Sequence, residues 1–95
     1  MRFSTEFQKK VCDVVKKIPR GKILSYQEVA FRLDEPGAAR AVGNALNRNF
    51  NSDVPCHRVI KSDGSVGGYR GGIKKKIKIL RGEGVKIKNG KIVNF

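Results

Sequence analysis

Residues 25–46 read SYQEVAFRLDEPGAARAVGNAL, a pattern that predicts two short helices separated by a break. Ser25 and Glu28 have the spacing of a capping box, in which each side chain bonds to the backbone N–H of the other residue where a helix begins. Asp34-Glu35 should end the first helix, and Pro36 suits the first turn of the second. The apolar residues at helical spacing, which should face a core, are Val29, Ala30 and Leu33 in the first helix and Ala39, Val42 and Leu46 in the second.

The second helix, predicted over residues 37–48, would be the recognition helix of a helix-turn-helix. Its other faces have little bulk apart from the long side chain of Arg40. The small residues there are Ala38, Ala41, Gly43 and Ala45. Small residues permit close packing against a neighbouring helix, and they equally permit a helix to approach a DNA groove. The sequence leaves both interpretations open.

Three more elements are predicted along the chain. Apolar residues at helical spacing indicate a helix over residues 5–17 and a lysine-rich helix over residues 73–82. Residues 85–93 alternate in polarity around Asn89-Gly90, which is a strong hairpin signal. We therefore expect a mainly α fold with small β elements: one winged-helix-like helix-turn-helix domain over residues 1–95, with a short C-terminal hairpin.

Positive charge is abundant and unevenly distributed. The chain has 21 Lys and Arg against 8 Asp and Glu, which gives a net charge of +13 on 95 residues. Residues 68–95 hold nine of the basic side chains and a single acidic one. Such a surface is either simply solvated or faces a polyanion. We favour contact with phosphates, which Lys and Arg bind without reading sequence.

Several classes of protein are disfavoured by what the sequence lacks. It has no run of 18 apolar residues, so a membrane span is not expected, and its start has no apolar signal-peptide core. Cys12 and Cys56 are too few for a disulfide framework, which favours a cytoplasmic location. Together with His57, the single histidine, they cannot complete the usual four-ligand zinc site, so no metal or cofactor is expected.

The segment Pro55-Cys56-His57-Arg58-Val59 contains the groups most suited to chemistry. Positive neighbours favour the thiolate form of a cysteine, which is the nucleophile. If this segment is extended, the thiol and imidazole point to opposite sides and a bridging water would connect them. A carboxylate would complete the relay by holding the imidazole tautomer. Glu83 is the first candidate, although an ordinary ion pair with a lysine is the alternative. Cys12 reads as a small buried apolar residue.

This segment resembles the active-site signature of the O6-alkylguanine-DNA alkyltransferases, the methylated-DNA–protein-cysteine methyltransferases. The resemblance covers about residues 5–90 and corresponds to the family's C-terminal catalytic and DNA-binding domain. Other stretches that resemble the family, in the same order, are residues 21–30, 38–46, 64–72 and 76–84. We expect the N-terminal domain that many members carry to have no counterpart in residues 1–95.

The resemblance implies direct-reversal DNA repair, with one irreversible alkyl transfer from O6-alkylguanine in double-stranded DNA to Cys56. His57 would take the thiol proton through water, Glu83 would orient His57, and Tyr26 would donate a hydrogen bond to the guanine. The residues that would contact DNA are Arg40, which replaces the flipped nucleotide, and Ala41, Gly43 and Asn44 on the minor-groove helix. We expect a monomer.

The resemblance also assigns residues to the substrate pocket. The Val59 carbonyl would accept from the guanine amino group, and Tyr69 and the backbone N–H of Arg70 would line the pocket near the alkylated oxygen. Lys76 would interact with Tyr69, and Asn49 would brace the loop before the active site. The rival interpretations are a lesion-binding protein that transfers nothing, a plain helix-turn-helix regulator, and a thiol hydrolase.

Overall fold

The computed structural model describes residues 5–48, 53–69 and 71–93. The helices are α1 (Thr5–Lys16), α2 (Tyr26–Arg32), α3 (Ala39–Asn47) and α4 (Ile73–Gly82), with a 3₁₀ turn at Cys56–Arg58. The strands are β1 (Leu24–Ser25), β2 (Val59–Ile60), β3 (Ile87–Lys88) and β4 (Lys91–Ile92). The predicted mainly α fold with small β elements is confirmed, including the C-terminal hairpin of β3 and β4.

The capping box predicted at the start of α2 is present. Ser25 Oγ accepts from the Glu28 N–H at 3.0 Å, and Glu28 Oε1 accepts from the Ser25 N–H at 2.9 Å. The prediction that Pro36 lies in the first turn of the next helix is wrong, because α3 begins at Ala39. The chain leaves α2 through Asp34, whose φ of 58° is left-handed, and the turn that follows occupies the residues up to 38.

Two apolar clusters hold the fold together. The larger one packs α1, α2 and α3 against each other and against β1 and the start of β2; its buried members are Val11, Val15, Ile18, Leu24, Val29, Ala30, Val42, Ala45, Leu46, Val54 and Val59. The smaller one joins α4 to the hairpin through Val66, Leu80, Val85 and Ile87. Of the residues predicted to face the core from α3, Val42 and Leu46 are buried and Ala39 is half-buried.

Parallel pairing of β1 with β2 positions the functional segment. Leu24 pairs with Val59 and Ser25 with Ile60, so the start of α2 lies beside the end of the 3₁₀ turn. Residues that are distant in sequence are thereby brought to one place. In the described part of the chain, no helix has the length and apolar character needed to cross a membrane.

The small residues of α3 are explained in part by packing. Ala41 and Ala45 are 8% and 1% exposed, so both lie against the protein interior. A Cβ added at Gly43 would lie 3.7 Å from the Tyr26 ring, which shows that this glycine faces α2. Arg40 and Asn44 are exposed. The α3 surface that remains open to a partner is therefore the one that carries Arg40 and Asn44.

Candidate active site

The segment that carries the thiol is a 3₁₀ turn rather than an extended strand. Arg58 N–H donates to the Pro55 carbonyl at 3.0 Å, and Val59 N–H donates to the Cys56 carbonyl, after which the backbone becomes extended. The expectation of side chains on opposite sides does not hold, since successive residues of a 3₁₀ helix are about 120° apart. Cys56 and His57 are both half-buried, and Cys56 is not in a disulfide.

The structure brings His57 and Glu83 together. His57 Nε2 and Glu83 Oε2 are 3.0 Å apart, with side chains that are 14% and 10% exposed. Glu83 is the residue directly after α4, whose C-terminal end packs near the 3₁₀ turn. The carboxylate is thus held at one nitrogen of the imidazole, as a relay requires.

Arg58 is a site residue that the sequence analysis did not assign. Its Nε donates to Glu83 Oε1 at 2.9 Å and one terminal nitrogen donates to Oε2 at 2.7 Å, a two-pronged contact. Its other terminal nitrogen donates to the Ile18 carbonyl at 2.8 Å, just after α1. The available signal was its position two residues after Cys56 and directly after His57.

These contacts keep Glu83 ionised. The hydrogen bonds from Arg58, followed by those of His57, lower the pKa of the Glu83 carboxyl to about 2 against the opposing effect of burial. The hydrogen bond to Glu83 in turn raises the pKa of Arg58. Glu83 is therefore an anion over the whole physiological range.

Tyr26 is the first residue of α2, which the pairing of β1 with β2 brings beside the 3₁₀ turn. Its ring sits between two glycines, because a Cβ added at Gly43 would be 3.7 Å from the ring and one added at Gly67 would be 3.6 Å from it. Burial, with a smaller effect of Cys56, raises the pKa of Tyr26. Its hydroxyl consequently keeps its proton and can donate a hydrogen bond.

Lys76 is fully buried and has partners other than the expected Tyr69. Its Nζ donates to the carbonyl oxygens of Val59 at 2.7 Å and Gly68 at 3.2 Å, and it lies 5.9 Å from the centre of the Tyr26 ring. Burial lowers its pKa to about 8. A buried ammonium needs such acceptors, and backbone carbonyls satisfy it here instead of a tyrosine hydroxyl.

The remaining predicted pocket residues differ in what can be said of them. The Tyr69 ring meets the His57 ring edge-on, with centroids 6.5 Å apart and planes at 87°. Val59 is buried, and its carbonyl already accepts from Lys76. Asn49 and Arg70 lie outside the described residues.

The fold and the site together define a class of protein: a helix-turn-helix domain in which a half-buried cysteine adjoins a histidine held by a carboxylate. Residues 6–85 match the family described as 6-O-methylguanine DNA methyltransferase, DNA binding domain. The chain belongs to this family.

Individual relatives agree. The chain is 52% identical, over 87% of its length, to a methylated-DNA–protein-cysteine methyltransferase of Methanothermobacter thermautotrophicus, and 46% identical, over 84%, to one of Salmonella typhimurium. It covers 47% of each, so it spans about half the length of the curated relatives it matches.

Two solved structures represent the similarity in fold. Mycobacterium tuberculosis OGT in complex with DNA is 45% identical with a TM-score of 0.80, over 85% of this chain and 51% of that one. S. pombe Atl1 in complex with damaged DNA containing O6-carboxymethylguanine is 37% identical with a TM-score of 0.83, over 97% of this chain and 90% of that one.

Proposed function

We propose that this protein repairs double-stranded DNA by transferring the alkyl group of O6-alkylguanine to Cys56, once and irreversibly. The observation that carries the proposal is the 3.0 Å contact between His57 Nε2 and Glu83 Oε2. His57 directly follows Cys56 in the 3₁₀ turn. A histidine held in this way can accept a proton from a thiol, which makes the nucleophile available.

The hydrogen bond to Glu83 sets the direction of proton transfer. With its Nε2–H donating to Glu83 Oε2, the neutral imidazole has Nδ1 available to act as a base toward the Cys56 thiol through a water. The ionised carboxylate then stabilises the imidazolium that forms. Arg58 positions this carboxylate without contacting the substrate, and the pKa of about 2 keeps Glu83 able to perform this role.

The transfer is a displacement at the alkyl carbon. The thiolate forms a C–S bond as the C–O6 bond breaks, and the electron pair passes into the guanine. A proton or hydrogen bond from the Tyr26 hydroxyl stabilises that developing charge. The product is a thioether without a good leaving group, so the thiol is not regenerated and each molecule reacts once.

The target atom is inaccessible inside a stacked duplex, so the base must be flipped out. Arg40 is exposed on α3 and has the length to occupy the space that the base leaves. Asn44, exposed on the same helix, would contact the minor groove beside it. We further propose that Tyr69 and Arg70 line the pocket for the flipped guanine, that the Val59 carbonyl accepts from its amino group, and that Asn49 braces the preceding loop.

Intact mass spectrometry tests the proposal. After incubation with a duplex that contains O6-methylguanine, the protein should gain one methyl group, and peptide mapping should place it on Cys56. Cys56→Ala should gain nothing while it retains DNA binding, whereas the matched control Cys12→Ser should still react once. A methyl group on Cys12 would contradict the proposal.

A second candidate is binding of the lesion without transfer. It is favoured by the S. pombe Atl1 structure, of which the chain covers 90%. Tight binding to methylated duplex with no gain in mass would establish this alternative. The cysteine–histidine–glutamate arrangement favours transfer, and we infer that it takes place in the cytoplasm, where thiols stay reduced.

A further inference from the structure

A strongly basic surface lies on the α4 side of the molecule, apart from α3. It is formed by exposed cations of α4 and of the hairpin segment: Lys74, Lys78, Arg81, Lys86 and Lys88. Lys75 is left out because its side chain lies beside Gly71 and the Tyr69 ring, near the pocket. We name it the α4–hairpin surface. The smaller apolar cluster joins its two parts, and Arg81 donates to the Ile87 carbonyl at 2.9 Å. Because α4 and the hairpin segment pack together, their exposed cations belong to one surface.

The α4 part of this surface faces away from the pocket. Lys76 marks the pocket side of α4, since its Nζ lies against the Val59 and Gly68 carbonyls and near the Tyr26 ring. Lys74 and Lys78 are each two residues from Lys76, which places them about 160° around the helix from it. A duplex that inserts a base into the pocket would approach the side that Lys76 faces.

The charges on this surface are not compensated and do not stabilise the helix. In the part of the chain that the structure describes, none of these five cations is paired with a carboxylate. Lys74 and Lys78 are spaced i, i+4, where like charges repel. Lys74 lies in the first turn of α4, where the helix dipole disfavours cations and where no acidic residue is present.

We propose that the α4–hairpin surface binds the phosphate backbone of a second DNA segment, so that one molecule can hold two duplexes at once. The proposal rests on the proposed function for its first duplex, on the α3 side. The rise from Lys74 to Arg81 is about 10 Å. Measured along the duplex axis, this length spans roughly three phosphates of one strand, at about 3.4 Å each. Binding through phosphates alone would be independent of sequence and sensitive to salt.

A bead-capture experiment with two duplexes tests this proposal. An unlabelled duplex is fixed to beads, protein is added, unbound protein is washed away, and capture of a fluorescent second duplex is measured over a salt series. The wild-type protein should capture the second duplex. The variant K74Q/K78Q/K86Q should capture it about tenfold less well, with a salt slope lower by about 2.7, since each lost phosphate contact contributes about 0.9.

Two matched variants separate a specific surface from net charge. K9Q/K16Q/K17Q removes the same three charges from exposed lysines on and after α1, and it should leave capture within about twofold of the wild type. K74R/K78R/K86R keeps the charge and should restore capture. Unchanged capture by K74Q/K78Q/K86Q, or equal loss in the α1 variant, would overturn the proposal.

The same proteins show which inference has failed if one does. Methyl transfer from a short duplex at saturating protein uses the α3 side alone, so all three variants should react at the wild-type rate. Salt-sensitive capture that depends on α4, together with no methyl on Cys56, would support the second surface while contradicting the proposed function. Normal transfer without capture would contradict the second surface only.

Discussion

At the scale of single residues, Arg58 and Glu83 explain how a small domain can hold the His57 imidazole in one orientation. The two-pronged contact fixes both oxygens of the carboxylate, and the third hydrogen bond of Arg58 ties it to the end of α1. His57 therefore meets an acceptor that is already oriented and charged. Removing Arg58 would leave a partly buried carboxylate with one partner fewer, which costs more than the pair itself contributes.

The acid stability of the protein should reflect this arrangement. The pKa of Glu83 falls from its ordinary value of 4.5 to about 2 on folding, so the folded state binds fewer protons between these pH values. The stabilisation is complete above pH 4.5 and is lost as the pH falls toward 2. Glu83→Gln should therefore be less stable than the wild type at pH 6, and the difference should shrink through this window.

Urea unfolding at several pH values measures this difference. Glu6→Gln is the matched control, because Glu6 forms an exposed ion pair with Lys10 at 3.6 Å that should contribute at most about 1 kcal/mol. A Glu83→Gln deficit that stays constant from pH 6 to pH 2 would mean that the charge of Glu83 is not what stabilises the site.

The sequence predicted which residues come together at this site better than it predicted their hydrogen-bond partners. Glu83 could be proposed because it is the only acid in a basic stretch and because a relay needs a carboxylate. The role of Arg58 and the carbonyl partners of Lys76 depend on β1–β2 pairing and on the packing of α4, which bring together residues that are 8 to 40 positions apart. Periodicity and capping signals hold no information about such contacts.

At the scale of elements, the sequence located the start of α2 but not that of α3. The capping box marks the start of α2 because it depends only on residues three apart. The start of α3 was misplaced because the turn from residue 34 to residue 38 depends on tertiary contacts.

The Tyr26 ring of α2 lies against α3. Two glycines flank the ring, and they differ in backbone: Gly43 is helical, whereas Gly67 has a φ of 72°. Of these two positions, only residue 67 needs glycine for its backbone conformation.

Alanine at these two positions should have opposite effects on stability. Gly43→Ala should stabilise the protein by about 0.5–1 kcal/mol, because alanine favours a helix interior and its Cβ would lie at an ordinary 3.7 Å from the Tyr26 ring. Gly67→Ala should destabilise it by about 1–2 kcal/mol, because a left-handed residue with a Cβ is strained. The new Cβ would also lie 3.1 Å from Lys61 Cγ.

Thermal unfolding of both variants measures the two changes, and methyl transfer shows whether α3 needs a bare surface at Gly43. We expect Gly43→Ala to react at the wild-type rate, since this glycine faces Tyr26 rather than solvent. Loss of duplex repair in a stabilised Gly43→Ala protein would instead show that DNA approaches α3 at this position.

Arg40 gives α3 its expected part in base flipping. Arg40→Ala should slow transfer from methylated duplex by about tenfold or more, because flipping costs a few kcal/mol and the arginine would offset part of that loss. Reaction with a free benzylated guanine, which needs no flipping, should change little. Single-turnover rates on the two substrates make the comparison, and equal losses on both would place Arg40 in the pocket or in folding.

At the scale of the whole molecule, the apolar clusters and the excess of positive charge are distributed differently. The larger cluster supports α1, α2 and α3, and the smaller one supports α4 and the hairpin, so the site lies where the two meet around the 3₁₀ turn. The sequence predicted the excess of positive charge in residues 68–95. It could not show that Lys74 and Lys78 face away from the buried Lys76, because the face that a helix buries is set by what packs against it.

The salt dependence of DNA binding tests how much of the +13 charge is used. With Cys56→Ala protein and trace labelled duplex, the affinity should fall with salt with a slope near −4 to −5 on a double logarithmic scale, for about four to six phosphate contacts. Preference among unmodified sequences should be weak, because the minor groove has a degenerate code and α3 exposes few side chains that could read it. Unmodified and methylated duplexes should bind within about tenfold of each other, since discrimination depends on flipping.

Fluorescence anisotropy over a salt series measures the salt slope, the sequence preference and the preference for methylated duplex. A slope near zero would show that the charge is only solvated, and strong preference for one unmodified sequence would indicate a regulator instead of a repair protein.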